Sequence, residues 1–294
     1  MASDNHITRM IAGFRNCFKI PELKERIIFT LLVLGVCRLI AWVPIPGLDG
    51  VELQNYFNQL REKQSERGTG FMGMYSMFTG GAWERCSIGG LGIMPYISAS
   101  IIIQLLTTVS PHLEQLKKEG EQGRKKINQY TRYGTVVLTA LQAYGIASGL
   151  EGMTASGGGG VVLAAGMFFK ASTVITLVGG TIVLMWLGEQ ITARGVGNGI
   201  SLIVFAGIVA QLPSAIASTL ELGRTGALNT LFILFLIILV IATITFIVFI
   251  ERAQRRIIVQ YPKRQVGQRM FGGESTHLPL KLNTAGVIPP IFAS

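Results

Sequence analysis

Residues 92–100 read GIMPYISAS, and residues 286–294 read GVIPPIFAS. Aligned without gaps, Gly, Pro, Ile, Ala and Ser coincide at five of the nine positions. Each copy sits in an apolar stretch with a proline where a membrane-crossing helix is expected. Proline removes a backbone donor and crowds the carbonyl four residues earlier, which for Pro95 is that of Leu91. Membrane helices tolerate this where neighbouring protein or water satisfies the freed group. Interrupted spans in corresponding positions of two inverted halves mark the pathway of many membrane proteins. The two motifs therefore predict a helical, polytopic membrane protein whose second and seventh spans, kinked at Pro95 and Pro289, line a route across the bilayer.

The composition around them agrees. Hydrophobic residues make up 49% of the 294-residue chain and charged residues 14%, against about 25% charged in soluble domains. A helix needs roughly 20 apolar residues to cross a bilayer core. Stretches of that kind at 27–43, 87–110, 133–150, 171–188, 199–217 and 228–250 predict six spans, and 282–294 begins another. The first 26 residues are basic but carry no small-residue cleavage site behind a short apolar run, so 27–43 is expected as a retained span. Segments 1–26, 111–132, 189–198 and 251–281 hold nineteen Lys and Arg, and the opposite side holds five. The positive-inside rule then puts the N-terminus and these four segments in the cytoplasm. Arg38 falls within the first span, five residues from its outer end. It is open to two readings: an anchor whose side chain reaches the interface, or an intramembrane functional charge.

Residues 71–86, FMGMYSMFTGGAWERC, are apolar but too short to cross. A re-entrant piece lodged in an outer funnel is expected there, the alternative being a helix lying on the surface. The basic segment 251–281 is longer than anchoring requires, and long ordered loops tend to be functional; it suits docking to an anionic surface such as ribosomal RNA.

Several chemistries find no residues. Asp occurs only at Asp4 and Asp49, and His6, His112 and His277 lie in the tail or near span ends. Neither an intramembrane protease nor a proton-coupled carrier can be assembled at membrane depth from that set. Cys17, Cys37 and Cys86 have no metal or disulfide spacing. Gly195, Gly197 and Gly199 lack the strand and acidic residue of a dinucleotide loop and predict a tight turn. No catalytic, cofactor-binding or metal-binding residue is expected. What is left is a pathway lined by aliphatic and small polar side chains, suited to a large and chemically varied substrate. A secondary transporter of a small solute through the same broken spans is the alternative.

At this point the residues resemble the SecY family, the central channel subunits of the bacterial Sec protein translocase. The resemblance is carried by PIPG at 44–47, MFTGGA at 77–82, LGIMPYISASIIIQLL at 91–106 and KKEGEQGRKKINQYTRYGT at 117–135. MWLGEQITARGVGNGIS at 185–201 and STHLPLKLNTAGVIP at 275–289 add to it. It implies an all-α membrane fold of two inverted five-helix halves. Residues 27–219 correspond to the first half, and 228–294 to the sixth span, its cytoplasmic loop and the start of the seventh, so the chain looks like a fragment. It implies a protein-conducting channel in the bacterial inner membrane. Such a channel also releases signal sequences and membrane segments sideways into lipid, works with SecE and SecG subunits, and is driven by the SecA motor or a translating ribosome.

Residue roles follow from the same resemblance. Ile93, Ile97, Ile200, Val204 and Ile291 match the hydrophobic pore ring, with Val204 smaller than the isoleucine often found there. Met72, Met74, Tyr75, Met77, Phe78, Gly80 and Gly81 match the plug. Gln104 and Asn283, with Pro95 and Pro289, match the lateral gate. Arg255, Arg256, Lys263 and Arg264 match the loop that contacts the ribosome or SecA. The second basic pair of that loop reads Gln268–Arg269 here, and no role is carried onto Gln268.

Overall fold

The computed structural model describes residues 20–50, 52–53, 56–57, 79–152, 161–226, 229–260, 264–266, 269–271 and 275–282. The chain forms two compact units, Met1–Ser214 and Ala215–Ser294.

In the first unit, α1 (Pro21–Ile40) opens on a proline, whose fixed φ suits a first helical turn and whose missing donor costs nothing there. Thr30, Val33 and Cys37 form its buried face, while Leu31, Leu32, Val36 and Leu39 point outward. Next come α2 (Met94–Val109) and α3 (Pro111–Lys118), which meet at a 99° bend. The bend sits at Ser110, which is held extended (φ −93°, ψ 118°) because the following proline disfavours a helical conformation in its neighbour.

The pathway proline corrects the sequence reading. Ser87 makes an isolated antiparallel bridge with Pro44, residues 88–93 form turns and not helix, and α2 begins at Met94, so Pro95 occupies its first turn. No intrahelical bond is lost there and no carbonyl is crowded. The second span is thus shortened and started by Pro95 rather than kinked by it. Gly89, Gly90 and Gly92 just before it are the sequence signal for that break.

Helix α4 (Glu121–Glu151) packs against α2 and against α5 (Met167–Arg194). Its buried stripe is Thr131, Thr135, Thr139, Ala143 and Ala147, one residue per turn and all small. Small residues let backbones approach closely in membrane bundles, where dispersion must supply the association energy. Each threonine hydroxyl donates to the carbonyl four residues back: Thr131 to Ile127 (3.0 Å), Thr135 to Thr131 (2.8 Å) and Thr139 to Thr135 (2.6 Å). The stripe is therefore compact and internally satisfied.

Helix α5 also touches α1 and α6 (Gly199–Val209). At Gly180 the Ile88 carbonyl lies so close that no Cβ would fit. The turn at 195–198 is tight, as its glycines predict. The Thr30 hydroxyl accepts from the Val196 N–H (3.1 Å), the Thr192 hydroxyl from the Gly199 N–H (2.9 Å), and Asn198 caps α6 through the Ile200 N–H (3.1 Å).

After α6 the chain breaks at Ala210–Gln211 and resumes as α7 (Leu212–Arg224). Pro213 supplies no N–H to continue the α6 ladder. The second unit contains α8 (Thr230–Arg252) and two antiparallel ribbons. Strand β1 (Gln254–Gln260) pairs with β4 (Ser275–Lys281), and β2 (Arg264–Val266) with β3 (Arg269–Phe271). What reads as a basic loop is thus largely strand.

Among the described residues, Met167–Arg194, Gly199–Arg224 and Leu231–Arg252 are long and apolar enough to cross a membrane, and the bent pair α2–α3 makes a fourth candidate. The expected spans at 27–43 and 133–150 coincide with helices of weaker apolar character. Helix α1 contains Glu22, Lys24, Glu25, Arg26 and Arg38, and α4 is diluted by threonine, glycine and glutamine.

Candidate functional site

Two turns of α2 and two of α6 face a common apolar cluster with α1 and α5. Ile93 is buried at the entrance to α2, and its carbonyl accepts from the Ile97 N–H one turn later (3.1 Å). Val33 and Cys37 of α1 and Leu184, Leu187 and Ile191 of α5 complete the buried part, and Ile97, Ile200 and Ile203 pack onto it. Val204, one turn beyond Ile200, shares with Ile93 the wall of a cavity of about 50 Å³. That volume admits one or two water molecules. Four residues that the family resemblance assigns to a pore ring are thus neighbours here, drawn from helices about 100 residues apart in sequence. Ile291 lies outside the described residues.

The same cavity is bounded by Arg38, Thr79 and Gly207. Arg38 Nη2 donates to the carbonyls of Gly207 (2.9 Å) and Ala206, the last turn of α6. Against the guanidinium lies Gly80, in the left-handed region at φ +66°. A Cβ there would come within 2.5 Å of Nη1 and 2.7 Å of Nη2. Gly81 follows at φ +80°. Of the expected plug residues only Gly80 and Gly81 are among the described residues; Met72, Met74, Tyr75, Met77 and Phe78 lie outside them. Arg38 is the residue that sequence reasoning left undecided. Its partners are 168 and 169 positions away, too far for any local pattern to announce.

Of the gate residues, Pro95 is fully buried and Gln104 is exposed near the end of α2. The Gln104 main-chain carbonyl is engaged by the Thr107 hydroxyl (2.6 Å), one turn on. Asn283 and Pro289 lie outside the described residues. In the second unit, Arg255 and Arg256 are exposed on β1, opposite Leu280 and Pro279 of β4. Consecutive strand residues point to opposite faces, so the two guanidinium groups are not one patch. Arg264 opens β2 opposite Phe271, and Lys263 lies outside the described residues.

With this arrangement in view, known proteins are similar to it along nearly the whole chain. The SecY family profile matches residues 87–294. The chain belongs to the SecY family. The SecY protein translocase subunit of Rickettsia typhi is 55% identical over 273 residues, covering 93% of this chain and 61% of that protein. The SecY of Escherichia coli K12 is 56% identical over the same length, with 93% and 60% covered. That of Buchnera aphidicola from Acyrthosiphon kondoi is also 56% identical and is covered to 74%. The chain spans about 60% of the length of the first two of these SecY relatives.

Solved structures agree on the SecY fold. A protein-conducting channel matches with a TM-score of 0.58 at 17% identity, over 87% of this chain and 52% of that one. Sec61 from a canine ribosome–channel complex of the endoplasmic reticulum matches at 0.55 and 17%, over 79% and 48%. A SecY whose plug domain stabilises the closed state matches at 0.52 and 18%, over 91% and 54%. The chain is therefore a helical membrane protein of SecY type. The small-solute transporter reading finds no support among these SecY relatives.

Proposed function

We propose that this chain forms the first half, and the start of the second, of a passive protein-conducting channel. It would sit in a bacterial inner membrane with its N-terminus in the cytoplasm. Unfolded secretory polypeptides would cross it, and signal sequences and membrane segments would leave it sideways into lipid. The observation that carries the reading is the meeting of Ile93, Ile97 and Ile200 in one apolar cluster, with Val204 beside Ile93 at a cavity of about 50 Å³. Branched aliphatics around a narrow constriction exclude ions by dewetting, yet rotamer changes let them yield to a passing chain. Membership of the SecY family supports the same reading. Residues 72–81 would act as the plug. Gln104 and Asn283, beside Pro95 and Pro289, would line the lateral gate. Ile291 would add a fifth residue to the ring.

The channel carries out no bond chemistry of its own in this reading. Energy comes from a SecA motor or a translating ribosome docked on the 251–281 segment through Arg255, Arg256, Lys263 and Arg264, with SecE- and SecG-type subunits bracing the helices. The test is translocation into vesicles that hold the full-length protein with its partner subunits. A secretory precursor supplied with motor and ATP becomes protected from protease in this reading. A precursor that stays fully digestible, while the same vesicles accumulate a small solute, would overturn it.

A further inference from the structure

The most unusual group in the first unit is the Arg38 guanidinium, half-buried and held against main chain. In a continuous helix the Gly207 carbonyl would accept from the Gln211 N–H. Here that N–H turns to Ile208 (3.2 Å), and the Ala210 N–H takes Ala206 (3.1 Å). Gly207 is left as one of the open carbonyls of a helix C-terminus, where the backbone also carries partial negative charge. Arg38 answers both needs: a cation at the negative end of α6, donating to Gly207 and Ala206.

Gly80 lies against both the guanidinium and the Gly207 carbonyl that it serves. A Cβ at that position would meet Nη1, Nη2 and, at 2.9 Å, the Gly207 carbonyl itself. Three separate parts of the chain meet at one side chain: α1, the turn at Gly80–Gly81, and the end of the helix that carries Ile200 and Val204. Only glycine permits this contact, both for its φ of +66° and for the space.

We propose that Arg38 is a positioning residue for channel closure: a latch that holds the Gly80–Gly81 turn against the broken end of α6 and so keeps Val204 beside Ile93 at rest. This rests on the channel reading above. A guanidinium suits the role because Nη2 alone serves both carbonyls, while the flat group packs against the Gly80 backbone. A lysine ammonium has donors enough for the two carbonyls but cannot present that flat face.

The test measures resting conductance of the full-length protein with its partner subunits in planar bilayers, without motor or substrate. Arg38→Met is expected to raise it about ten-fold, since a hydrogen-bonded charge in such a place holds a closed state by roughly the corresponding 1.4 kcal/mol. Arg38→Lys should fall between Arg38→Met and wild type. Gly80→Ala, which leaves Arg38 in place but pushes the turn off it, should leak like Arg38→Met, and it decides alone if that variant does not assemble. Precursor translocation is run in parallel. Variants as tight as wild type, in vesicles that translocate normally, overturn the latch and leave the channel reading standing. Equal leak in the lysine and methionine variants, with equally lowered melting temperatures, would assign Arg38 to general packing and also overturn it. Wild-type vesicles that fail to translocate would instead remove the channel reading.

Discussion

Arg132 of α4 and Glu189 of α5 face each other in a two-pronged ion pair, Nε to Oε1 at 2.9 Å and Nη2 to Oε2 at 2.7 Å. The fork fits the carboxylate edge to edge, the geometry in which arginine and lysine are least interchangeable. It clamps the two helices at the end opposite Lys170, beyond the threonine stripe that brings them close.

Because the pair is part-exposed, its worth is modest. Arg132→Lys, keeping the charge and losing one prong, is expected to lower unfolding stability in detergent by about 0.5 kcal/mol, and Glu189→Gln by about 1 kcal/mol. A double-mutant cycle checks this. Coupling near zero would mean the pair is a surface contact with no hold on the helices.

The α4 stripe separates size from polarity. Thr135 is fully buried and its hydroxyl bonds only within its own helix. Thr135→Val keeps the volume and loses one hydrogen bond, a change of about 0.6 kcal/mol. Thr135→Leu adds a methylene where α2 and α5 leave no room and should cost about 1–3 kcal/mol. Thermal unfolding of the two variants settles the order; equal losses would make the hydroxyl, not the close approach, the reason for threonine.

Glu151, the last residue of α4, has its carboxyl held below the usual carboxylate range, first by its hydrogen bond with Lys170 and next by the Gly166 N–H. The ammonium stands 3.0 Å away. A depressed carboxyl pKa stabilises the fold above the range of the unfolded group, and that contribution is lost as pH falls through the folded value. The melting temperature of wild type should therefore exceed that of Glu151→Gln at neutral pH, and the two should converge below the usual carboxylate range. A gap that persists in strong acid would place the effect elsewhere.

How much of this was legible in the sequence depends on the range of the interaction. Long apolar spans were readable because a bilayer dictates their length. The turn around Gly195, Gly197 and Gly199 was readable because glycine spacing is local. Pro95 was misread as a kink: an apolar run shows that a proline lies in a membrane segment, not where the helix starts. The ribbon hid for a related reason, since Gln254–Gln260 reads QRRIIVQ, with no alternation of apolar and polar residues to betray a strand. Arg38 was undecidable because its acceptors lie 168 and 169 positions away and the Gly207 carbonyl is open only once α6 has broken. The pore-ring assignment came from family resemblance, as isolated isoleucines in apolar helices carry no distinguishing mark.

The ribbon offers a last test, on docking. Arg255 and Arg256 are adjacent on β1 and therefore project from opposite faces. A flat anionic partner that meets one face engages only one of them directly. Arg255→Glu and Arg256→Glu should consequently weaken binding of ribosomes or motor to full-length protein in vesicles by unequal amounts. Where the partner surface is RNA, the variant at the engaged residue should also reduce the slope of log affinity against log salt by about one, while its neighbour leaves the slope near wild type. Equal losses with equal slopes would mean that charge in bulk steers the encounter, with neither arginine making a defined contact. Unchanged binding of both variants at low salt would remove both faces of β1 from the docking surface.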